Sequence, residues 1–186
     1  MVRSPDEIQY LPQASDVILA TVHHSSTDYF SCSITPYTSF ALLPHLAFEG
    51  ATKKTRPQLS SGSLIYARIA SAPKHMDPEI VCYNPSTGKS EGMGELKGGM
   101  VFDLSLGMCR RLLMARQKDD GGVALLEGIA EKVAFEIAIG RNGLVWVKAG
   151  SVKETLLVGK ALQEADKGSL GVAEQEKLVR KLLKQL

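Results

Sequence analysis

The sequence has 186 residues, 44% of them hydrophobic, which suits one large domain or two small ones built on a sizeable apolar core. Its net charge of +2 is too small to indicate a nucleic-acid partner by itself, so such a partner would have to bind local basic patches. Three widely spaced cysteines, a polar N-terminus and no long apolar run lead us to expect a soluble intracellular protein without a bound metal, a cofactor, a disulfide scaffold or a membrane span.

Short β-rich segments dominate the first half of the chain. After a lead-in over residues 1–13, the alternation of apolar and polar residues predicts strands at residues 17–22, 29–34, 40–43, 64–71 and 80–83. We expect a polar turn at residues 23–28 and one helical turn at residues 44–49. Five short strands within roughly 75 residues favour a small closed barrel of the OB type, an all-β domain over residues 14–84.

Residues 85–99 change character, since they are rich in Gly, Ser, Pro and Lys, and we expect them to connect two domains. Beyond them, the pattern predicts a strand at 101–104, helices at 106–114 and 123–131, strands at 135–139 and 144–147, and helices at 152–167 and 173–186. This order, β-α-α-β-β-α with an added helix, is that of a type I KH domain, so we expect an α/β KH-like domain over residues 100–186. A barrel followed by such a domain indicates RNA as the ligand.

The centre of the second domain is a strand–turn–strand–helix unit. Residues 135–139 alternate as in a strand with one buried face. Gly140-Arg-Asn-Gly143 then predicts a tight hairpin, because Asn and Gly tolerate positive φ. After the strand that contains Trp146, Ser151-Val-Lys-Glu154 spells a capping box. The helix that follows has a predicted apolar stripe of Val152, Leu156, Ala161, Leu162 and Ala165.

A specific resemblance is carried by five segments spread over both halves: Phe48-Glu-Gly-Ala-Thr-Lys-Lys-Thr-Arg-Pro57, Gly62-Ser-Leu-Ile-Tyr-Ala67, Asp77-Pro-Glu-Ile-Val-Cys82, Gly92-Met-Gly94 and Gly140-Arg-Asn-Gly-Leu-Val-Trp-Val-Lys148. Together they resemble the cap-subunit family of the eukaryotic RNA exosome called ribosomal RNA-processing protein forty, or exosome component three. The sister cap subunit, ribosomal RNA-processing protein four, shares the domain order and the Gly-x-Asn-Gly turn. The first and fourth segments favour the former family.

This resemblance implies an S1-type OB domain followed by a divergent KH domain, with a further N-terminal β domain ahead of the barrel in most members. It implies a non-catalytic role in which the cap subunits stabilise a ring of RNase PH-like subunits and guide single-stranded RNA to a 3'-to-5' nuclease. Processing of rRNA and degradation of other RNAs in the nucleus, nucleolus and cytoplasm would follow. A free-standing regulator that binds single-stranded RNA through the barrel alone is the alternative.

Candidate RNA-binding residues lie mainly on barrel loops, where OB folds meet nucleic acid. The predicted residues are Lys53, Lys54, Arg56, Lys74, His75 and Tyr29. The first three share one loop and would contact phosphates, and the next two are expected to extend the same patch. Alternation places Phe30 inside and Tyr29 outside, where its ring could stack on a base. A solvated loop, or a contact with an acidic neighbour, explains the cations equally well.

The hairpin turn matches the KH clamp formula Gly-x-x-Gly, but it joins two strands rather than two helices. A hairpin needs Asn-Gly for geometry alone, so we favour a structural role for this unit. Its key residues are Gly140, Asn142, Gly143 and Trp146. The loop that should carry the clamp, residues 115–122, lacks the formula and carries Asp119 and Asp120, which would repel phosphate. We therefore expect the KH-like domain to have lost ordinary RNA binding and to act as a packing surface.

A catalytic hypothesis would rest on His23 and His24, which are close in sequence to Asp28 and Cys32. A nucleophile and its base also need an orienting group in a cleft, and a polar hairpin turn explains these residues more simply. The sequence also lacks a Gly-rich phosphate loop and an acidic pair at metal spacing. We therefore expect no enzymatic activity.

Overall fold

The computed structural model describes residues 9–114, 123–168 and 170–183. Within these ranges the chain forms two compact units. The first unit contains the described residues up to Lys97 together with residues 140–142, and the second contains those from Gly98 to Ile139 and from Gly143 onward. The predicted hairpin turn thus belongs to the first unit, although the strands on either side of it belong to the second.

The first unit is a closed β-barrel of five strands with a sixth attached. The strand bounds are β1 Val17–Ser25, β2 Tyr29–Ser33, β3 Ala41–Pro44, β4 Leu64–Ser71, β5 Glu79–Val81 and β6 Gly94–Leu96. The order is β1-β2-β3-β5-β4-β6, and β1 also pairs with β4, which closes the barrel. All neighbouring strands are antiparallel except β3 and β5, which are parallel. The predicted OB-type barrel is confirmed.

Alternate residues of these strands fill the barrel. Phe30 and Cys32 on β2 are at most 3% exposed, and Ile65, Ala67 and Ile69 on β4 are at most 1% exposed. The other residues of β2 point away from the interior: Ser31 and Ser33 are half-buried, and Tyr29 is exposed. The period-two pattern predicted this inner face correctly, because each barrel strand turns one face toward the apolar interior.

Two parts of the barrel differ from the sequence-based expectation. Residues 44–49 contain a single tight turn, in which Ala47 N donates to Pro44 O at 2.9 Å, and not a helix. Phe48 then forms a parallel bridge with Cys82. The Gly-rich segment 85–99 is more than a connection, because it contains β6, which pairs with β4. With three residues and a single apolar side chain, β6 is too short to show a periodic pattern.

The second unit has three strands and four helices among the described residues. Their bounds are β7 Met100–Asp103, α1 Leu106–Met114, α2 Val123–Ala130, β8 Phe135–Ile139, β9 Leu144–Ala149, α3 Val152–Lys167 and α4 Val172–Leu183. The antiparallel sheet has the order β7-β9-β8. The predicted KH-like order with an added helix is confirmed. None of the described helices is long and apolar enough to span a membrane.

One apolar core joins the sheet and all four helices of this unit. Phe102, Val145 and Val147 supply the strand side of the core. Helix α4 packs against α2 and α3, and it contributes Val179 and Leu182. The added helix is therefore an integral part of its own unit, and its Val179 and Leu182 side chains are buried there.

Helix α3 begins at the predicted capping box. The Oγ atom of Ser151 accepts a hydrogen bond from Glu154 N at 3.2 Å, and Ser151 N donates to Glu154 Oε2 at 2.9 Å. Ala161 and Leu162 are buried as predicted, but Val152 is 71% exposed. Val152 occupies the first helical position, outside the turns that pack on the sheet, so periodicity alone assigned it to the wrong face.

Gly159 in α3 tests how tightly this core is packed. A β-carbon at this position would overlap the ring of Phe102 on β7, so an alanine side chain has no room. We expect Gly159→Ala to lower the free energy of unfolding by about 1–3 kcal/mol through overpacking. Urea unfolding followed by the fluorescence of the single tryptophan, Trp146, measures this change.

The matched control is Gly128→Ala in α2. Its β-carbon would meet only Val179, at an ordinary contact distance of 3.4 Å. Because alanine favours a helix interior over glycine by about 1 kcal/mol, we expect this variant to be as stable as the wild type or more stable. Equal stability of the Gly159→Ala and Gly128→Ala variants would contradict the packing described here.

Candidate nucleic-acid interface

The basic loop, residues 50–56 between β3 and β4, is held in a fixed shape by two threonines. Thr52 N donates to Thr55 Oγ1 at 3.1 Å, and Thr55 N donates to Thr52 Oγ1 at 3.2 Å. These reciprocal bonds close a turn around Lys53 and Lys54, whose side chains are exposed. The structure thus places two of the predicted RNA-binding residues side by side at a rim of the barrel, where a phosphate can reach them.

Arg56, the third cation of the basic loop, lies in a different environment because it is half-buried. Its Nη1 lies 2.8 Å from Nδ1 of His45. His45 is only 7% exposed, and its ring stacks on Phe30 with the ring centroids 4.2 Å apart. The sequence analysis did not single out His45, since one histidine in a turn forms no pattern. The basic loop therefore has two exposed cations and one cation anchored to the barrel core.

His23 and Phe40 form an aromatic pair at the barrel surface, and the sequence did not show that these two residues meet. Strand β1 continues through His23 and His24, where we expected a turn, and its register with β2 shifts between Val22 and His24. This shift marks a β-bulge, which re-aims the side chains around it. The ring of His23 lies 4.9 Å from the ring of Phe40, which is 44% exposed. The pair offers a surface on which a base can stack.

Tyr29 lies on the outer face of β2, as alternation predicted, and is 37% exposed. It pairs with Pro44 at the end of β3, so it lies at the same end of the barrel strands as the basic loop. Tyr29 and the basic loop therefore share one rim. Their contact with RNA stays a prediction.

Lys74 and His75 are exposed in the β4–β5 loop, at a different place from the basic loop. The start of β3 pairs in parallel with the start of β5, through Leu42 and Glu79. The loop that leads into β5 therefore lies at the opposite end of β3 from the basic loop. The two groups of cations do not form the single patch that we expected, because sequence order does not show which ends of strands meet.

The residues of the catalytic hypothesis are not brought together. Cys32 is fully buried in the barrel, whereas the ring of His23 lies against Phe40 at the surface, with an interplanar angle of 40°. Burial raises the pKa of the Cys32 and Cys82 thiols to about 12, so both thiols stay protonated at neutral pH. In the described part of the chain, no group of three or more His, Cys, Asp or Glu side chains is placed to hold a metal ion.

Residues 140–142 complete one edge of the barrel. Strand β2 pairs with β1 only from Thr21 onward, so the backbone of Leu19 has no strand partner on that edge. Asn142 supplies one: its Nδ2 donates to Leu19 O at 2.8 Å and to Ile34 O at 2.9 Å, and its Oδ1 accepts from Leu19 N at 3.2 Å. The side chain is 7% exposed, and its polar groups are used inside the protein, which supports the structural interpretation of this turn.

The other residues of the hairpin unit also make internal contacts. Trp146 is 4% exposed, and its Nε1 donates to Gly98 O at 2.7 Å. Gly143 has a φ of 84°, and its carbonyl oxygen accepts from Leu104 N at 2.8 Å. These contacts again support a structural role. The loop predicted to lack the RNA clamp, residues 115–122, lies outside the described residues.

Two known families match the chain. Residues 10–94 match the family described as exosome complex component RRP40, S1 domain, and residues 99–153 match a KH domain family. Exosome complex component rrp40 of Schizosaccharomyces pombe is 35% identical over 179 residues, which are 96% of this chain and 71% of that protein. The chain belongs to the exosome complex component RRP40 family.

Further comparisons agree with the RRP40 assignment. Exosome complex component RRP40 of Drosophila melanogaster is 38% identical over 170 residues, which are 91% of this chain and 69% of that protein. A candidate exosome complex RNA-binding protein of known crystal structure matches with a TM-score of 0.71 and covers 95% of this chain and 96% of its own. At 19% identity this structural match supports the fold alone. The RRP40 family is the one that the sequence motifs indicated.

Asn142 provides a test of the structural role that we assign to the hairpin turn of this chain. We expect Asn142→Ala to lower the free energy of unfolding of the barrel by about 2–4 kcal/mol, because it leaves buried backbone groups of Leu19 and Ile34 without partners. Asn142→Asp should cost at least as much, since a carboxylate would face two carbonyl oxygens. Amide hydrogen exchange at Leu19 measures the loss directly.

Arg141→Ala is the control for this prediction. The Arg141 side chain is partly exposed and pairs with Asp16, Nε to Oδ1, at 3.2 Å. Asp16 is only 8% exposed, but it also accepts a hydrogen bond from Tyr10 OH at 2.8 Å and so keeps one partner. We therefore expect this variant to lower the free energy of unfolding by about 1–2 kcal/mol, less than Asn142→Ala. If Asn142→Ala were no more destabilising than Arg141→Ala, the structural role of the turn would be wrong.

Proposed function

We infer that this protein is an RNA-binding cap subunit of the RNA exosome. The observation that carries the inference is the match of both units, in order along one chain, to an RRP40 S1 domain and a KH domain. Its relatives in Schizosaccharomyces pombe and Drosophila melanogaster are named exosome complex components. OB folds of the S1 type and KH modules bind single-stranded RNA, which gives the proposed ligand.

We propose a non-catalytic role for the subunit within that complex. It stabilises a ring of RNase PH-like subunits together with the other cap subunits, and it guides single-stranded RNA into the channel for 3'-to-5' degradation and rRNA processing. Burial raises the pKa of the Cys32 and Cys82 thiols, which argues against either of them as a catalytic nucleophile. We propose the nucleus, the nucleolus and the cytoplasm as its places of action.

The basic loop is the proposed RNA-binding surface. Lys53 and Lys54 present their charges to solvent at the rim that also exposes Tyr29. Phosphate contacts of this kind carry no sequence information, and one exposed ring adds a stacking contact that accepts any base. The isolated chain should therefore bind single-stranded RNA weakly, with little sequence preference and a strong dependence on salt.

The double substitution Lys53→Gln and Lys54→Gln tests this surface. We expect weaker binding to single-stranded RNA, because two phosphate contacts are lost. The slope of log K against log salt should become less negative by about 1.4, which is about 0.7 for each contact. Fluorescence anisotropy with a labelled oligouridine over a salt series gives both quantities.

A matched control removes two exposed lysines from α4, through Lys177→Gln and Lys181→Gln. This control changes the net charge by the same amount but leaves the basic loop intact, so affinity and slope should stay near the wild-type values. Equal losses in the two double variants would show that only the overall charge matters. In that case the basic loop would not be the RNA-binding surface.

A pull-down from nuclease-treated cell extract tests the assembly. We expect the tagged chain to recover RNase PH-like ring subunits, identified by mass spectrometry, because protein contacts rather than RNA would hold a cap subunit in place. The Lys53→Gln and Lys54→Gln variant should recover the same subunits. Recovery of partners only when RNA is left intact would instead favour a free-standing RNA-binding regulator.

A further inference from the structure

His45 is a buried histidine whose tautomer follows from its contacts. Its Nδ1 lies 2.8 Å from Nη1 of Arg56. A guanidinium nitrogen only donates hydrogen bonds, so Nδ1 must accept, and the proton of the neutral ring is on Nε2. Nε2 is buried, and it has no hydrogen-bond partner among the described residues.

The position of His45 is fixed from two further sides. Its ring stacks on Phe30, a buried residue of β2, with a ring-centroid distance of 4.2 Å and an interplanar angle of 30°. Its backbone N donates to Asp28 O at 3.0 Å in the β1–β2 turn. Burying an N–H without a partner is unfavourable, so the stacking alone would be better served by an apolar ring. What histidine adds at this position is the acceptor that it presents to Arg56.

Arg56 therefore differs from Lys53 and Lys54 beside it. The exposed lysines are long and flexible, and each loses rotamer freedom when it binds a phosphate. Arg56 is half-buried and is held at Nη1 by His45. Its Nε–Nη2 edge has no partner among the described residues, and this edge is a planar fork that binds phosphate through two parallel hydrogen bonds.

We propose that His45 is a positioning residue that holds Arg56 ready to bind an RNA phosphate. Arg56 is then the ordered phosphate contact of the basic loop, and the two lysines add charge around it. The ligand is the phosphodiester backbone of single-stranded RNA, bound without recognition of bases. The proposal rests on the proposed RNA-binding function and adds to it a residue that does not itself touch RNA.

His45→Phe is the decisive variant. Phenylalanine keeps a ring stacked on Phe30, while it removes the acceptor for Arg56 and the unpartnered N–H. Thermal unfolding should therefore show wild-type stability or better. Affinity of the full chain for labelled oligouridine should fall about three- to tenfold, the range expected for ordering one long side chain. The salt slope should stay unchanged, because no charge is removed.

Three further variants separate positioning from a merely structural role. Arg56→Gln removes the charge, so it should weaken binding and make the salt slope less negative by about 0.7. Adding His45→Phe to Arg56→Gln should then have no further effect, because the residue that His45 positions is gone. His45→Asn keeps an acceptor near the place of Nδ1 and should recover part of the affinity. A structural role predicts equal losses from His45→Phe in both backgrounds.

A second measurement needs no variant. NMR relaxation of the Arg56 Nε–H group in the unbound wild-type chain should show a rigid side chain, whereas the exposed Arg110 should be flexible. Wild-type affinity of His45→Phe, or an Arg56 as flexible as Arg110, would overturn the proposal. Absence of salt-dependent RNA binding by the wild-type chain would overturn the RNA-binding function and this proposal with it. The two failures are distinguishable, because only in the latter does the wild-type chain itself fail to bind RNA.

Discussion

Strand β1 pairs along both of its edges, with β2 on one side and β4 on the other, and the barrel is closed only while both ladders form. The β2 ladder begins at Thr21, which would leave the preceding backbone groups of β1 unpaired on that edge. Asn142 and the backbone N–H of Arg141 satisfy these groups through Leu19 and Val17. An unpaired buried peptide group is costly, so the barrel needs these two residues to complete its hydrogen bonding.

Closure of the barrel also decides where its loops lie. Because β3 and β5 are parallel, the basic loop that follows β3 and the β4–β5 loop that precedes β5 lie at opposite ends of β3. At the basic-loop end, Thr52 and Thr55 fix the turn, and His45 links Arg56 to the packed ring of Phe30. A rigid core thus supports a small charged surface, which is how OB folds commonly present residues to single-stranded nucleic acid.

The second unit has a different character. Its sheet and helices share one apolar core, and its added helix α4 is buried into that core through Val179 and Leu182. The indole N–H of Trp146 and the carbonyl oxygen of Gly143 are also satisfied by hydrogen bonds within this unit. A unit whose apolar and polar groups are satisfied internally is consistent with a structural role. The exposed cations of the barrel are consistent with weak, sequence-independent contacts to RNA. The proposed cap function needs both properties: a stable position and a surface along which RNA can pass.

The sequence by itself determined the order of elements, the bounds of β4 and α3, the capping box at Ser151 and the family. These depend on periodicity and on residues whose local geometry is set within a few positions. Only the tertiary structure showed β6, the His23–Phe40 pair, the separation of Lys74 from the basic loop and the contact between His45 and Arg56. Each of these depends on which strand ends and side chains meet across the barrel. Which residues meet depends on hydrogen bonds between strands that are distant in sequence and close the barrel. Such pairing leaves no periodic pattern along the chain.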